Sequence, residues 1–273
     1  MVLSMSKTLG IRDVEHYHWH LAEADAPVCW SGNGNSLSLA AAVELACIER
    51  QREPGTSLPA SPIRITNCPI WSLLKSARWP GRRSKAKLRD GAVAVMVLPV
   101  NADDTSWTQT LHDLLNELTA NGFPTDLARG LTGAVVEMVD NIWLHSETTQ
   151  AGLLAYQVRR RKFAFSVADT GIGVLASLKK NPRYEQLSSS MEAIRYAIRP
   201  GVSRFADGGL GFSNLVRALA DLWGNARIRS GEAGVLIDRT GDARKKDFLY
   251  LPHLPGTHVS VRCSLDPRSS RHK

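Results

Sequence analysis

Phe163-Ala-Phe-Ser-Val-Ala-Asp169-Thr170-Gly171-Ile172-Gly173 reads as a strand that ends on an acid and breaks into a turn. Two glycines flank one apolar residue in that turn. Glycine permits positive φ and a close approach of backbone to ligand. A carboxylate at the end of a buried strand can accept a hydrogen bond from an amino group such as that of adenine. Asp-x-Gly-x-Gly turns also arise by chance, so the meaning of this one rests on what flanks it.

Upstream, residues 153–158 form a second predicted strand. Arg159-Arg160-Arg161-Lys162 joins the two and is expected to be a solvated hairpin tip. Before that, Pro124 opens a predicted helix that runs to about His145. It carries Glu137-Met138-Val139-Asp140-Asn141, with His145 one turn later. Glu137 and Asn141 are four apart and share a helix face, with Asp140 at its edge. Apolar neighbours place these polar groups on a largely buried helix, where each needs a partner. A hard cation such as Mg²⁺, held by oxygen ligands and phosphates, would satisfy Asn141. A preceding helix over 107–120 shows Leu111, Leu114, Leu115 and Leu118 on one face. It is capped by the turn at 101–106 and stopped by Asn121-Gly122.

Downstream, residues 174–207 are mixed around a short helix near 191–198. A connection of that length in a compact domain is expected to be a functional lid or a disordered segment. Asp207-Gly208-Gly209-Leu210-Gly211-Phe212 is a glycine-rich loop that opens an apolar helix over 211–223. Free N–H groups at a helix start attract phosphate. The loop is neither a Walker loop nor a dinucleotide fingerprint, because the flanking residues of both are missing. Three strands are expected after it, at 226–229, at 235–238 and from 248–251 towards 257–263. The last includes Gly256-Thr257-His258-Val259.

In their order and spacing these four features resemble the GHKL superfamily, the ATP-binding fold of DNA gyrase, the heat-shock chaperone ATPase, histidine kinases and mismatch-repair ATPases. The resemblance covers about residues 107–263. It implies an α/β fold, a two-layer α/β sandwich (the Bergerat ATP-binding fold) with helices on one face of a mixed sheet. It implies ATP and Mg²⁺ as ligands. Asn141 would coordinate Mg²⁺. Asp169 would accept from the adenine amino group, with Thr257 in support. Gly171 and Gly173 would let the backbone pass under the nucleotide, and Gly209 and Gly211 would cradle its phosphates. Residues 174–207 would be the ATP lid, with Arg204 as a phosphate contact. Glu137 would be the general base that activates water, a role that contributes ~10² to 10⁴ in rate.

Two functions follow from the resemblance. One is a stand-alone ATP-binding switch with slow hydrolysis that acts on a protein partner. The alternative is a protein kinase of the histidine-kinase or anti-sigma-factor type that phosphorylates a separate protein. His112-Asp113 lacks the Arg and Pro of a phosphoacceptor box, so autophosphorylation there is not expected. With the sequence ending soon after Cys263, a complete gyrase-like motor is not expected either. A homodimer is compatible with the family.

The rest of the chain is harder to read. Its 273 residues suit one large domain or two small ones. The expected division is a small N-terminal α/β unit over 1–104, the ATP-binding domain over 105–265 and a frayed tail over 266–273. Within 1–104, His16, His18 and His20 would share the face of a strand. Ser36 would cap a helix over 37–52, residues 62–66 and 92–98 would be strands, and the basic stretch 82–87 a solvated loop. Cys29, Cys47, Cys68 and Cys263 are far apart and read as buried free thiols. No membrane span or signal peptide is legible, and the cytoplasm is the expected compartment.

The 34 basic and 26 acidic residues give a net charge of +8. Residues 1–120 hold 12 of each sign, so the remaining 22 basic and 14 acidic residues put the whole excess in 121–273. Such asymmetry suggests an anionic partner. ATP is one, and nucleic acid is another that no recognition-helix motif supports.

Overall fold

The computed structural model describes residues 8–9, 11–15, 36–52, 68–77, 79–148, 152–199, 201–202, 212, 215, 219, 222–238 and 247–266. Its main elements in chain order are α1 (Leu39–Arg52), α2 (Pro69–Ser76), β1 (Arg83–Leu88), β2 (Gly91–Val97), α3 (Thr105–Ala120) and α4 (Thr125–His145). There follow β3 (Leu153–Arg159), β4 (Lys162–Ala168), α5 (Gly173–Leu178), α6 (Ser190–Ala197), β5 (Trp223–Asp238) and β6 (Phe248–Ser264). Residues 8–9 and 36–37 make a separate short parallel pair. The strand expected at 62–66 and the histidines at 16, 18 and 20 lie outside the described residues, as do Cys29 and the tail beyond Asp266.

The class is α/β, as expected. One six-stranded sheet runs in the order β1-β2-β3-β4-β6-β5, and every neighbouring pair is antiparallel. The sheet is therefore not mixed. The last two strands are long, so the three short strands expected after residue 223 are two, with β5 irregular around Gly231.

The sheet also crosses the expected boundary at residue 104. The β1–β2 hairpin belongs to it, because β2 pairs with β3 from Gly91↔Arg159 to Val97↔Leu153. The basic stretch at 82–87 is thus an edge strand and not a solvated loop. Lys85 Nζ lies 2.6 Å from Glu117 and Arg83 Nη1 lies 2.8 Å from Asp113, both acids on α3. These contacts hold the basic strand against the neighbouring helix.

Alternation explains the layers. Ala94, Met96, Leu154, Tyr156, Phe163, Phe165 and Val167 face α3 and α4 in one apolar core. Val93, Val95, Val97, Leu153 and Ala155 face α1 and α2 in another. β2 reads as an unbroken apolar run because both of its faces are covered. The expected two-layer sandwich of sheet with α3 and α4 is present, and α1 and α2 add a third layer on the opposite face.

Local signals explain the helix ends. Asp104 Oδ1 accepts from Ser106 N at 2.7 Å and starts α3. Gly122, at φ +90°, stops it. α1 begins at Leu39 and not at the expected 37, and Ser38 Oγ accepts from Ala41 N at 3.3 Å at its start. α1 is buried nearly all round, so the stripe expected on it becomes a fully covered helix that includes Glu44 and Glu49.

Glu44 has its partners on β5. Arg227 Nη1 donates to Glu44 Oε2 at 2.7 Å, Arg229 Nη1 donates to Glu44 Oε1, and Arg227 Nη2 donates to Glu15 Oε1 at 2.5 Å. Arg229 has no solvent exposure. The two guanidinium groups hold the Glu44 carboxyl down at about 2 despite its burial. Cys47, Cys68 and Cys263 are buried free thiols. Burial pushes Cys47 and Cys263 up to about 12, which leaves both unreactive near neutral pH. Among the described residues, no helix is long and apolar enough to cross a membrane.

Candidate functional site

α4, β4, α5 and β6 converge on one cavity beside the α3/α4 face of the sheet. Asn141, His145, Asp169, Gly173, Thr257 and Phe212 are among its lining residues. Its volume is about 120 Å³. A single water needs only ~10–15 Å³ by the same measure, so the space suits a small organic group.

Asp169 is the chemical centre. It follows the last residue of β4 and is only 4% exposed. Its Oδ1 accepts from Gly171 N at 2.7 Å and its Oδ2 accepts from Thr257 N at 3.2 Å. Asp169 N donates in turn to Thr257 O at 3.0 Å. Burial raises the carboxyl to about 6, against the pull of those two N–H groups. At neutral pH it is an oriented carboxylate with lone pairs left to accept from a donor in the cavity.

The turn after Asp169 is locked by its neighbours. Ile172 N donates to Ser146 O at 2.9 Å, which ties the turn to the end of α4. A Cβ on Gly171 would stand 2.0 Å from that same Ser146 oxygen. Gly171 thus gives room to the α4 terminus and supplies an amide to Asp169. Gly173 lines the cavity and begins α5 at φ +72°. Val174 N donates to Ser230 Oγ at 2.9 Å, and Ser230 Oγ donates to Gly256 O at 2.8 Å. Gly256 sits at φ +82°, and a Cβ there would lie 2.0 Å from Asp169 O. These contacts set the carboxylate between the end of β4 and the middle of β6.

Of the residues singled out from the sequence, Asn141, Asp169, Gly173 and Thr257 come together on the cavity. Glu137 is half-buried on α4 one turn before Asn141, and neither it nor Gly171 lines the cavity. Arg204, Gly209 and Gly211 lie outside the described residues. Phe212 is helical and lines the cavity, and Leu215 and Leu219 beyond it are helical and buried, as an apolar helix there requires.

The segment expected to be a lid is largely packed structure. Over 174–199 it contains α5 and α6, and Arg195 stacks 4.8 Å above the Phe248 ring of β6. It reaches the cavity at both ends, through Val174, Ser177 and Leu178 of α5 and through Ala197 and Val202. Sequence reasoning passed over Ser146 and Ser230, and it quoted Gly256 beside Thr257 without giving it a role. Ser146 and Ser230 carried no signal, because a lone serine has no pattern.

Among the described residues, no group of three or more His, Cys, Asp or Glu side chains could hold a metal ion. A hard cation at Asn141 would therefore take most of its ligands from water and from a bound phosphate. No protein-family model matches the chain, and no curated protein matches it.

Proposed function

We propose that this chain is a GHKL-type ATP-binding protein that binds Mg-ATP, hydrolyses it slowly and acts as a nucleotide-dependent switch on a protein partner. One observation carries the proposal. Asn141, Asp169, Gly173 and Thr257, drawn from three of the four motifs of the sequence, line a single cavity around a buried carboxylate.

The residues fit such a ligand. Asp169, fixed by the amides of Gly171 and Thr257, is placed to accept from an amino group on a purine. Val167, Val259, Ile142 and Leu178 supply apolar walls for a ring. Asn141 is the oxygen donor on the same cavity and would hold Mg²⁺, which neutralises phosphate charge when bound. Glu137, one helical turn before Asn141, is the nearest acid on that helix face for orienting water. The glycine loop at 208–211 would meet the phosphates, with Arg204 beside it.

Autophosphorylation at His112 has less support than transfer to a separate protein. His112 is exposed on α3, but Asp113 beside it is bound to Arg83. That acid is committed to the sheet edge and is not poised to activate a phosphoacceptor.

Calorimetric titration of the full chain with ATP and Mg²⁺ tests the assignment, with Asp169→Asn as the discriminating variant. The parent is expected to bind and the variant to lose at least tenfold in affinity. Equal affinities would remove the basis of the assignment. Labelled γ-phosphate then separates the two functions. Free phosphate, lost in Glu137→Gln with ATP binding kept, is expected of the switch, whereas label on a second protein would favour the kinase.

A further inference from the structure

The run Arg159-Arg160-Arg161-Lys162 takes no part in the cavity. Asp169 lies just beyond the opposite end of β4, on the order of 20 Å away at ~3.3 Å per residue. The sheet sets a second basic turn beside this run. Gly91 pairs with Arg159, Arg159 with Lys162, Lys162 with Ser264, and Ser264 with Trp223. That end row brings the Arg89-Asp90 turn against the Arg160-Arg161 turn, and Arg160 N donates to Asp90 O at 3.3 Å. Arg89, Asp90, Arg159 and Arg160 line an open cleft between the two turns.

Charge at this end is poorly balanced. Arg89, Arg159, Arg160, Arg161 and Lys162 are all exposed. Asp90 lies 3.7 Å from Arg159, and Asp266 lies 3.1 Å from Arg161. Five cations against these two carboxylates leave +3. Arg159 and Lys162 are direct cross-strand partners, an arrangement of like charges that costs stability. Cross-strand partners share a face of the sheet, so Arg159, Lys162 and the 39%-exposed Trp223 stand in one line. At ~4.8 Å per strand the row from Gly91 to Trp223 spans roughly 19 Å.

We infer that this end of the sheet binds single-stranded nucleic acid, with phosphates on the arginine turns and a base stacked on Trp223. Guanidinium forks match phosphate oxygens in pairs and are the usual choice for nucleic-acid backbones. A basic track with an aromatic platform is how sequence-tolerant single-strand binding is built. A bound polyanion would also relieve the repulsion between Arg159 and Lys162. A lipid surface fits less well. Trp223 is the one large apolar side chain exposed on this row among the described residues, and surface binding to lipid grows with buried apolar area. This inference does not rest on the nucleotide site.

Anisotropy of a fluorescein-labelled oligo(dT) with the full chain, across a salt series, tests it. Contact with three or four phosphates gives a log–log salt slope of about −2 to −3 for a single strand. That is a roughly 20- to 50-fold loss of affinity between about 50 and 200 mM salt. The double variant Arg89→Glu, Arg160→Glu, both on exposed turns, is expected to bind at least tenfold more weakly with an unchanged melting temperature. Trp223→Ala is expected to lose about tenfold with the salt slope kept, and Trp223→Phe to regain most of it, as stacking at ~1–3 kcal/mol per base implies. Absence of binding at low salt would overturn the inference, as would binding that the double variant leaves unchanged. So would tighter binding to duplex DNA, or to vesicles of phosphatidylcholine with phosphatidylserine, than to oligo(dT).

Discussion

The two faces of the sheet solve burial differently, and β6 joins them. On the α3/α4 face the core is almost wholly apolar, and the charged group at its edge is Asp169, held by backbone amides. On the α1/α2 face a comparable apolar core encloses Glu44, Arg227 and Arg229, with Glu15 at the rim. Thr257 and His258 are successive residues of β6, so they serve opposite faces. Thr257 brackets Asp169, whereas His258 is buried within electrostatic reach of Glu44 and both arginines. One face leaves a carboxylate with spare acceptor capacity. The other spends its carboxylate entirely on protein cations. The first arrangement suits a ligand and the second suits fixing α1 to the sheet.

The contrast is broken most strongly by Glu44→Ala. Removing that carboxylate leaves Arg227 and Arg229 buried with one charge partner fewer, and loss of one partner from a buried pair costs ~3–5 kcal/mol. Urea unfolding is expected to show a loss of that size. A change below about 1 kcal/mol would mean that the network does not hold α1 in place.

On the other face, Gly256→Ala is expected to cost less stability, ~1–3 kcal/mol, because it forces a non-glycine residue into positive φ. Its Cβ must also displace the backbone at Asp169. The mark of this variant is functional: ATP affinity in a calorimetric titration is expected to fall further than its melting temperature suggests. Intact affinity would show that Asp169 is not the ligand's anchor.

The smallest effect is the response to acid, which differs in sign between the faces. Glu44 is held at about 2 in the fold, below its ordinary 4.5, so its contribution to stability is lost as pH falls from about 4.5 towards 2. Asp169 is raised to about 6 from 3.8, so its buried charge destabilises the fold above about pH 6, and acid relieves that cost. His258 opposes it: burial lowers the ring to about 4 from 6.5, and stability from its neutral form is lost as pH falls through that window. Unfolding measured in steps from pH 7 to pH 3 is expected to be nearly level down to about pH 4.5 and to drop below it. Asp169→Asn is expected to tilt the level part downward with acid, since only the His258 response remains. For ligand, adenosine affinity is expected to be about tenfold weaker at pH 5 than at pH 7, one unit below the Asp169 midpoint. A flat affinity profile would take Asp169 out of the binding step.

The legible parts of this chain were those with local signals. The α3 stripe, the Asn121-Gly122 stop, the β3–β4 hairpin with its basic tip and the Asp-x-Gly-x-Gly turn follow from periodicity, caps and glycine within a few residues. Four candidate site residues, Asn141, Asp169, Gly173 and Thr257, were named from such patterns and share one cavity. The illegible parts were set by distant partners. Arg83, Lys85 and Lys87 read as a loop because nothing nearby announced Asp113 and Glu117 across the edge. The buried charge of Glu44 on α1 had no meaning without Arg227 and Arg229, which lie more than 180 residues along the chain.

The sequence by itself therefore determined which segments are helix or strand in the middle of the chain, and which side chains could do chemistry. Hydrogen bonding within a turn and the side-chain period act over a few residues and leave their mark there. Only the tertiary structure decided that the β1–β2 hairpin extends the sheet, that β6 runs between β4 and β5, and that α1 covers the second face. Periodicity states that a face must be buried and does not state against what. That choice depends on the summed packing and charge pairing of segments that meet only when the chain is folded.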